Sequence, residues 1–241
     1  MRLINYLRGV CVLIITPLLT AITCSTAILL AAVARKSPEE LQWLARIWAQ
    51  TVIRACGVSV TVKGAQNLDQ AKSYIFAANH QSQFDIFTLQ GYLGIDFRWL
   101  AKQELFDIPL FGTSMRVGGY IPINRGKGRE SLKSLNNAAT KISGGTSVII
   151  FPEGTRSADG NLQEFKSGAI ILAIKAQVPI VPVAITGTHE IMPKGTLVPR
   201  PGNVTIHIGK PIASDGYKPK QKNELALKVH DAVAALMLPT E

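Results

Sequence analysis

The run from Gly9 to Ala34 contains no charged side chain, and it exceeds the roughly 20 residues that a helix needs to span a hydrocarbon core. Whatever this chain folds into must therefore hide a long apolar helix, in lipid or against protein. Three fates compete. A cleaved secretory leader would explain Arg2 and Arg8 ahead of the run and the small residues Ala32-Val33-Ala34 near its end. The stretch is far longer than the usual leader core of about 7–15 residues, however, and cleavage would leave Cys56 with no disulfide partner. A spanning helix is the second fate, and a helix sunk partly into one leaflet beside its neighbour is the third.

That neighbour is legible. Ser37-Pro38-Glu39-Glu40 reads as an N-cap serine, a proline at the first helical position and a glutamate at N3. The helix it starts is expected to run to Ala55 or Cys56 and stop at Gly57. Leu41, Leu44, Trp48, Val52 and Ala55 recur at three- and four-residue spacing, while Glu39, Gln42, Arg46, Gln50 and Arg54 fall largely elsewhere. Two tryptophans and a basic face suit the headgroup boundary; an ordinary helix packed on a soluble domain is the alternative. Charges flank the first apolar run at both ends, so loop charge does not decide its orientation.

From Val58 onward strand-like and helix-like segments alternate without repeats or low-complexity linkers. Strands are expected at 58–63, 74–78, 97–101, 119–123, 147–151, 180–185 and 203–209, and helices near 84–93, 105–115, 128–143, 166–177 and 222–238. Continuous apolar strands such as Ser147-Val148-Ile149-Ile150-Phe151 are suited to burial on both faces. The expected fold class is α/β: a mixed, largely parallel sheet flanked by helices, with an N-terminal two-helix hairpin for membrane attachment. The chain then divides into a hairpin at 1–57 and a larger domain at 58–241.

Two polar clusters follow strand-like runs. Asn79-His80-Gln81-Ser82-Gln83-Phe84-Asp85 follows Tyr74-Ile75-Phe76-Ala77-Ala78, and Phe151-Pro152-Glu153-Gly154-Thr155-Arg156-Ser157 follows Ser147-Val148-Ile149-Ile150. Strand ends are where open α/β sheets build sites. In one regular helix His80 and Asp85 would project roughly 140° apart. With His80 in the loop and Asp85 in the first helical turn, the carboxylate can reach imidazole Nδ1 and leave Nε2 free as a base. Local helix capping is the bland alternative for the first cluster, and a strand-exit turn with an internal ion pair is the bland alternative for the second.

Both clusters together resemble the glycerolipid acyltransferase family, which is marked by a His-x4-Asp box followed by a Phe-Pro-Glu-Gly-Thr-Arg-Ser box. Gly119-Tyr120-Ile121-Pro122-Ile123-Asn124-Arg125 stands between them where the family carries a Gly-x-x-Phe/Ile-x-Arg element, with Asn124 as one extra residue. An apolar run around Val-Pro, Val178 to Ile185, comes last. The resemblance covers roughly residues 58 to 211. It implies a glycerol-3-phosphate acyltransferase-like fold and acylation of 1-acyl-glycerol 3-phosphate by an acyl thioester, either acyl-CoA or acyl-carrier protein. His80 and Asp85 would be the catalytic pair. Glu153, Gly154, Thr155, Arg156, Arg125 and Lys102 would bind substrate, with Arg156, Arg125 and Lys102 on the phosphate and Glu153 on a glycerol hydroxyl or organising Arg156.

The residues agree with direct transfer. All three cysteines, Cys11, Cys24 and Cys56, lie in the N-terminal region, and no Gly-x-Ser-x-Gly elbow presents a serine. Oxyanion donors are expected among backbone N–H groups near His80 or Gly154. Phe84, Phe87, Phe106 and Phe111 could line an acyl tunnel, though core packing is the simpler role for each. The formal net charge of +10 calls for an anionic partner. An aromatic content of 7% and the absence of RNA-binding or zinc-finger spacings turn that partner from nucleic acid toward lipid headgroups, coenzyme A or an acidic carrier. No metal and no resident cofactor are expected. The expected location is the inner (cytoplasmic) membrane, monotopic or single-span, with the larger domain facing the cytoplasm. Another lysolipid acceptor such as lyso-ornithine lipid, a hydrolase, and a noncatalytic lipid-binding module are the competing readings.

Overall fold

A computed structural model describes residues 2–124, 126 and 128–238. The chain runs α1 (Arg2–Val33), α2 (Gln42–Ala55), β1 (Val58–Lys63), β2 (Ile75–Ala78), α3 (Phe84–Tyr92), β3 (Arg98–Lys102), α4 (Phe111–Val117), β4 (Ile121–Ile123), α5 (Arg129–Ser143), β5 (Val148–Ile150), α6 (Ser167–Ala176), β6 (Ile180–Thr186), α7 (Thr188–Ile191), β7 (Gly202–Ile208) and α8 (Lys222–Met237). Among the described residues the strands form one seven-stranded sheet in the order β1-β7-β6-β2-β5-β3-β4. Its pairs are parallel except β6 with β7. The expected mixed, largely parallel sheet is therefore present.

Alternation along the central strands builds two cores. Phe76 and Ala78 of β2 point to one face with Ile149 and Val181, where α2 and α3 add Val52, Ile53, Phe84 and Leu89. Ile75 and Ala77 point to the other with Val148 and Ile150, covered by α5, α6 and α8. Every residue of β2 and β5 is buried, which explains why these strands read as unbroken apolar runs. At the edge, β1 alternates Val58, Val60 and Val62 with the more exposed Ser59, Thr61 and Lys63.

The two N-terminal helices pack unequally. In α2, Ala49, Val52 and Ile53 are buried in the sheet core, and Gln50 Nε2 donates to the Gly91 carbonyl of α3 at 2.8 Å. The longer α1 leans on α2 and α4, with Trp48 Nε1 donating to Thr20 Oγ1 at 3.0 Å. Most of its surface, including Leu7, Ile14, Leu18, Ile22 and Leu29, stays exposed. The turn between the helices is clamped to the sheet: Arg98, buried at the start of β3, pairs with Glu39 at 2.8 Å and Asp96 at 2.7 Å.

Two expected elements come out differently. The capping box at Ser37 forms, with Ser37 N–H on Glu40 and Glu40 N–H on Ser37 Oγ, but it closes a turn and the regular helix starts only at Gln42. The helix expected at 105–115 splits into a 3-10 turn, Gln103–Asp107, and α4, because Pro109 forces Ile108 into an extended conformation. Phe84, Phe87 and Phe106 belong to buried packing, whereas Phe111 borders an apolar cavity of about 80 Å³ between α1, α2 and α4.

Candidate functional site

The pairing of β2 with β5 brings the two polar clusters side by side. Ile75, Phe76 and Ala77 lie opposite Val148, Ile149 and Ile150 in parallel register, so both strands release their following residues at one sheet edge. His80 sits in the loop after β2 and Asp85 in the first turn of α3. His80 Nδ1 and Asp85 Oδ2 are 2.7 Å apart. An Nδ1–H given to the carboxylate leaves the lone pair on Nε2, the nitrogen that remains for chemistry.

Asp85 is fully buried, so its oxygens need partners. Oδ2 also accepts the backbone N–H groups of Gln81 at 2.7 Å and Ser82 at 2.9 Å, and Oδ1 accepts the Thr188 hydroxyl at 2.5 Å. The imidazole is further fixed by its face, which stacks on Phe151 at 3.9 Å between centroids and 11° between planes. Asn79 locks the loop to β6 by giving Nδ2–H to the Ile185 carbonyl and accepting the Ile185 N–H. Ser82 is not a free nucleophile: its hydroxyl donates to the Met192 carbonyl at 2.7 Å and accepts the Phe84 N–H.

The second cluster holds the first by its main chain. Glu153 Oε1 accepts the His80 N–H at 2.6 Å, and Ser157 N–H donates to the His80 carbonyl at 2.7 Å. Glu153 Oε2 accepts Gln163 Nε2–H at 2.9 Å. The carboxyl is buried and burial pushes its pKa above the ordinary value, with the His80 N–H and Gln163 opposing the shift. Glu153 thus braces the His80 main chain and Gln163, and among the described residues it forms no ion pair with Arg156. Gly154 takes φ +76°, a left-handed conformation that favours glycine.

His80 N–H is given to Glu153, and Gly154 N–H to the Phe151 carbonyl at 3.0 Å. Both of these N–H groups are therefore engaged within the protein.

Arg156 is half-buried beside this edge, and among the described residues it has no carboxylate at ion-pair distance. Thr155 is exposed next to it. Lys102 ends β3 at the same edge, where its ammonium pairs with Glu104 at 2.9 Å on the surface. Arg125 lies outside the described residues. Sequence reasoning missed Lys194, whose ammonium donates to the Arg156 carbonyl at 3.0 Å and adds a cation to the turn. It also missed Thr188. The only signal for either was position, just past the apolar run that became β6. Among the described residues no three His, Cys, Asp or Glu side chains gather as a metal site.

The comparisons with known proteins fit this geometry. The family model described as Acyltransferase matches residues 59–186. A chloroplastic 1-acyl-sn-glycerol-3-phosphate acyltransferase from Arabidopsis thaliana is 37% identical over 172 residues, 70% of this chain and 48% of the relative. The Saccharomyces cerevisiae 1-acyl-sn-glycerol-3-phosphate acyltransferase is 34% identical over 194 residues, 79% of this chain and 64% of the relative. The chain spans about half the length of the first of these relatives and less than two thirds of the second. The crystal structure of the 1-acyl-sn-glycerophosphate (LPA) acyltransferase PlsC from Thermotoga maritima superposes with a TM-score of 0.83 at 26% identity, covering 98% of this chain and 97% of that one. With a matching model over more than half its length and the same fold end to end, the chain belongs to the acyltransferase family.

Proposed function

We propose that this protein is an O-acyltransferase that moves an acyl group from a thioester, on coenzyme A or an acyl-carrier protein, to the sn-2 hydroxyl of 1-acyl-glycerol 3-phosphate, giving phosphatidic acid. The observation that carries the reading is the 2.7 Å His80–Asp85 contact, opening at the edge shared with Arg156. The names of the similar proteins supply the acceptor.

His80 Nε2 takes the proton of the acceptor hydroxyl as its oxygen attacks the thioester carbonyl. Asp85 steadies the imidazolium that forms. When the tetrahedral intermediate collapses, the C–S bond breaks and the proton on Nε2 passes to the departing thiolate. Catalyst and charge are restored without a covalent enzyme intermediate. The engaged Ser82 hydroxyl agrees with this, as does Cys56, a buried thiol whose pKa desolvation pushes up to about 12.

The Arg156 guanidinium suits a bidentate contact to the acceptor phosphate, with Lys194 on its carbonyl and with Thr155, Lys102 and Arg125, the last outside the described residues, as further phosphate ligands in this reading. Residues 1–57 serve as the membrane attachment, and 58–241 as the catalytic domain facing the cytoplasm. The exposed apolar surface of α1 supports that attachment. No resident cofactor enters the scheme.

The test offers labelled acyl-CoA to purified protein with lysophosphatidic acid and lyso-ornithine lipid in parallel, with His80→Ala as control. Labelled phosphatidic acid that disappears in the variant is the expected result. Labelling of the other acceptor would reassign the substrate, and full activity in His80→Ala would remove the base from the scheme.

A further inference from the structure

The exposed apolar surface of the fold does not end with α1. Leu105, Ile108 and Leu110 are 38%, 46% and 39% exposed, and all three lie in the connection from β3 to α4. That connection leaves β3 at the sheet edge where His80 and Glu153 emerge. Surface connections are ordinarily polar, because they face water.

The loop is built to protrude. Phe106 is buried and anchors it, with the Arg116 guanidinium 5.8 Å from the ring centroid. Gly112 returns so close that a Cβ there would lie 2.0 Å from the Phe106 carbonyl oxygen, which pinches the segment at its base. Between these two points Leu110 is held at φ +64°, a conformation that leucine rarely adopts, although its side chain is not buried in the core. A rare backbone conformation at a leucine left 39% exposed points to a role outside the core.

The surroundings of the loop indicate what lies outside. Pro109, Leu110 and Phe111 border the same apolar recess as Pro17 and Ala21 of α1, so the protrusion continues the exposed surface of α1. Its cations are locally balanced, Lys102 by Glu104 and Arg116 by Asp107. The apolar side chains must therefore supply the attraction. We propose that the Leu105–Leu110 protrusion inserts into the same lipid leaflet as α1, giving the edge that carries His80 its own contact with acyl chains. This inference rests on reading α1 as a membrane attachment. An acceptor could then present its hydroxyl at His80 while its own chain stays in the leaflet.

The experiment uses the full chain in phosphatidylcholine–phosphatidylglycerol vesicles. Cys11, the exposed cysteine, is replaced in a Cys11→Ser background; Cys24 and Cys56 are buried. Single nitroxide labels are placed by Ile108→Cys, Leu105→Cys, Trp43→Cys on α2 and Lys228→Cys on the opposite sheet face. Collisions with oxygen relative to a water-soluble nickel complex report immersion in lipid. The expected result is a ratio at 105 and 108 several-fold above that at 228 and comparable to 43. A high ratio at 43 with 105 and 108 resembling 228 would overturn the insertion while leaving the helical attachment intact. Low ratios at all four positions would remove the attachment itself, and the insertion with it.

Discussion

Thr188 reaches across 103 positions of chain to give its hydroxyl to Asp85 Oδ1 at 2.5 Å, in a place from which water is excluded. It touches neither His80 nor any open surface, so its role is to position the carboxylate. Thr188→Val would leave Oδ1 buried without its donor, which costs about 1–3 kcal/mol. A kcat reduced about 10-fold or more, with KM for either substrate little changed, is expected from steady-state kinetics. Thr188→Ser should restore most of the loss; equal damage from both variants would indicate packing instead of the hydroxyl.

Glu153 makes stability depend on pH in a definite direction. Its folded pKa is raised by burial, so the folded state favours the protonated carboxyl. That contribution is complete below the ordinary glutamate value of about 4.3 and is lost as pH rises through the folded value. Glu153→Gln keeps an acceptor for the His80 N–H and removes the ionisation. Its melting temperature relative to the parent protein should therefore increase between pH 4 and pH 7. A constant difference across that range would show that the carboxyl does not titrate in the window.

Arg156 and Lys194 should separate in a kinetic comparison. Arg156→Ala is expected to raise KM about 10- to 100-fold for an acceptor with a free phosphate and much less for a neutral lysolipid, as loss of a charge-assisted contact requires. Lys194 holds the Arg156 carbonyl from outside, so Lys194→Ala should show the same selectivity at smaller amplitude. Equal effects on both acceptors would remove phosphate recognition from the pair.

The N-terminal helices should not behave as one unit on truncation. Removing residues 2–33 strips the exposed apolar helix and is expected to lower co-sedimentation with vesicles. Extending the deletion through 57 also takes Ala49, Val52 and Ile53 out of the core they share with Phe76. Even Ile53→Ala alone should cost about 2–5 kcal/mol of stability. The longer deletion should therefore lose its cooperative thermal transition and not merely leave the membrane.

Most of this architecture was legible because the relevant signals are local. The strand runs, the Gly57 stop and the His80-to-Asp85 spacing each rest on neighbours in sequence, and the elements follow them. Pro109 also carries a local signal, against a continuous 105–115 helix, which the apolar pattern around it masks. The partners of Glu153 were not legible. Its composition suggests a substrate ligand, yet only the β2–β5 pairing delivers the His80 N–H to its oxygen. Thr188 was hidden for the same reason, since the reversal from β6 to β7 that brackets it leaves no trace in spacing.

The β2–β5 seam has one more implication. In the sheet order β3 and β4 lie outboard of a β2–β5 junction set by three residue pairs, and α4 and α5 go with them. Lengthening or exchanging the β3–β4 connection or the segment around Asn124 leaves that junction untouched. New acceptor or chain preferences can thus be grafted onto the flank like interchangeable tool heads, while the handle that grips His80 stays the same.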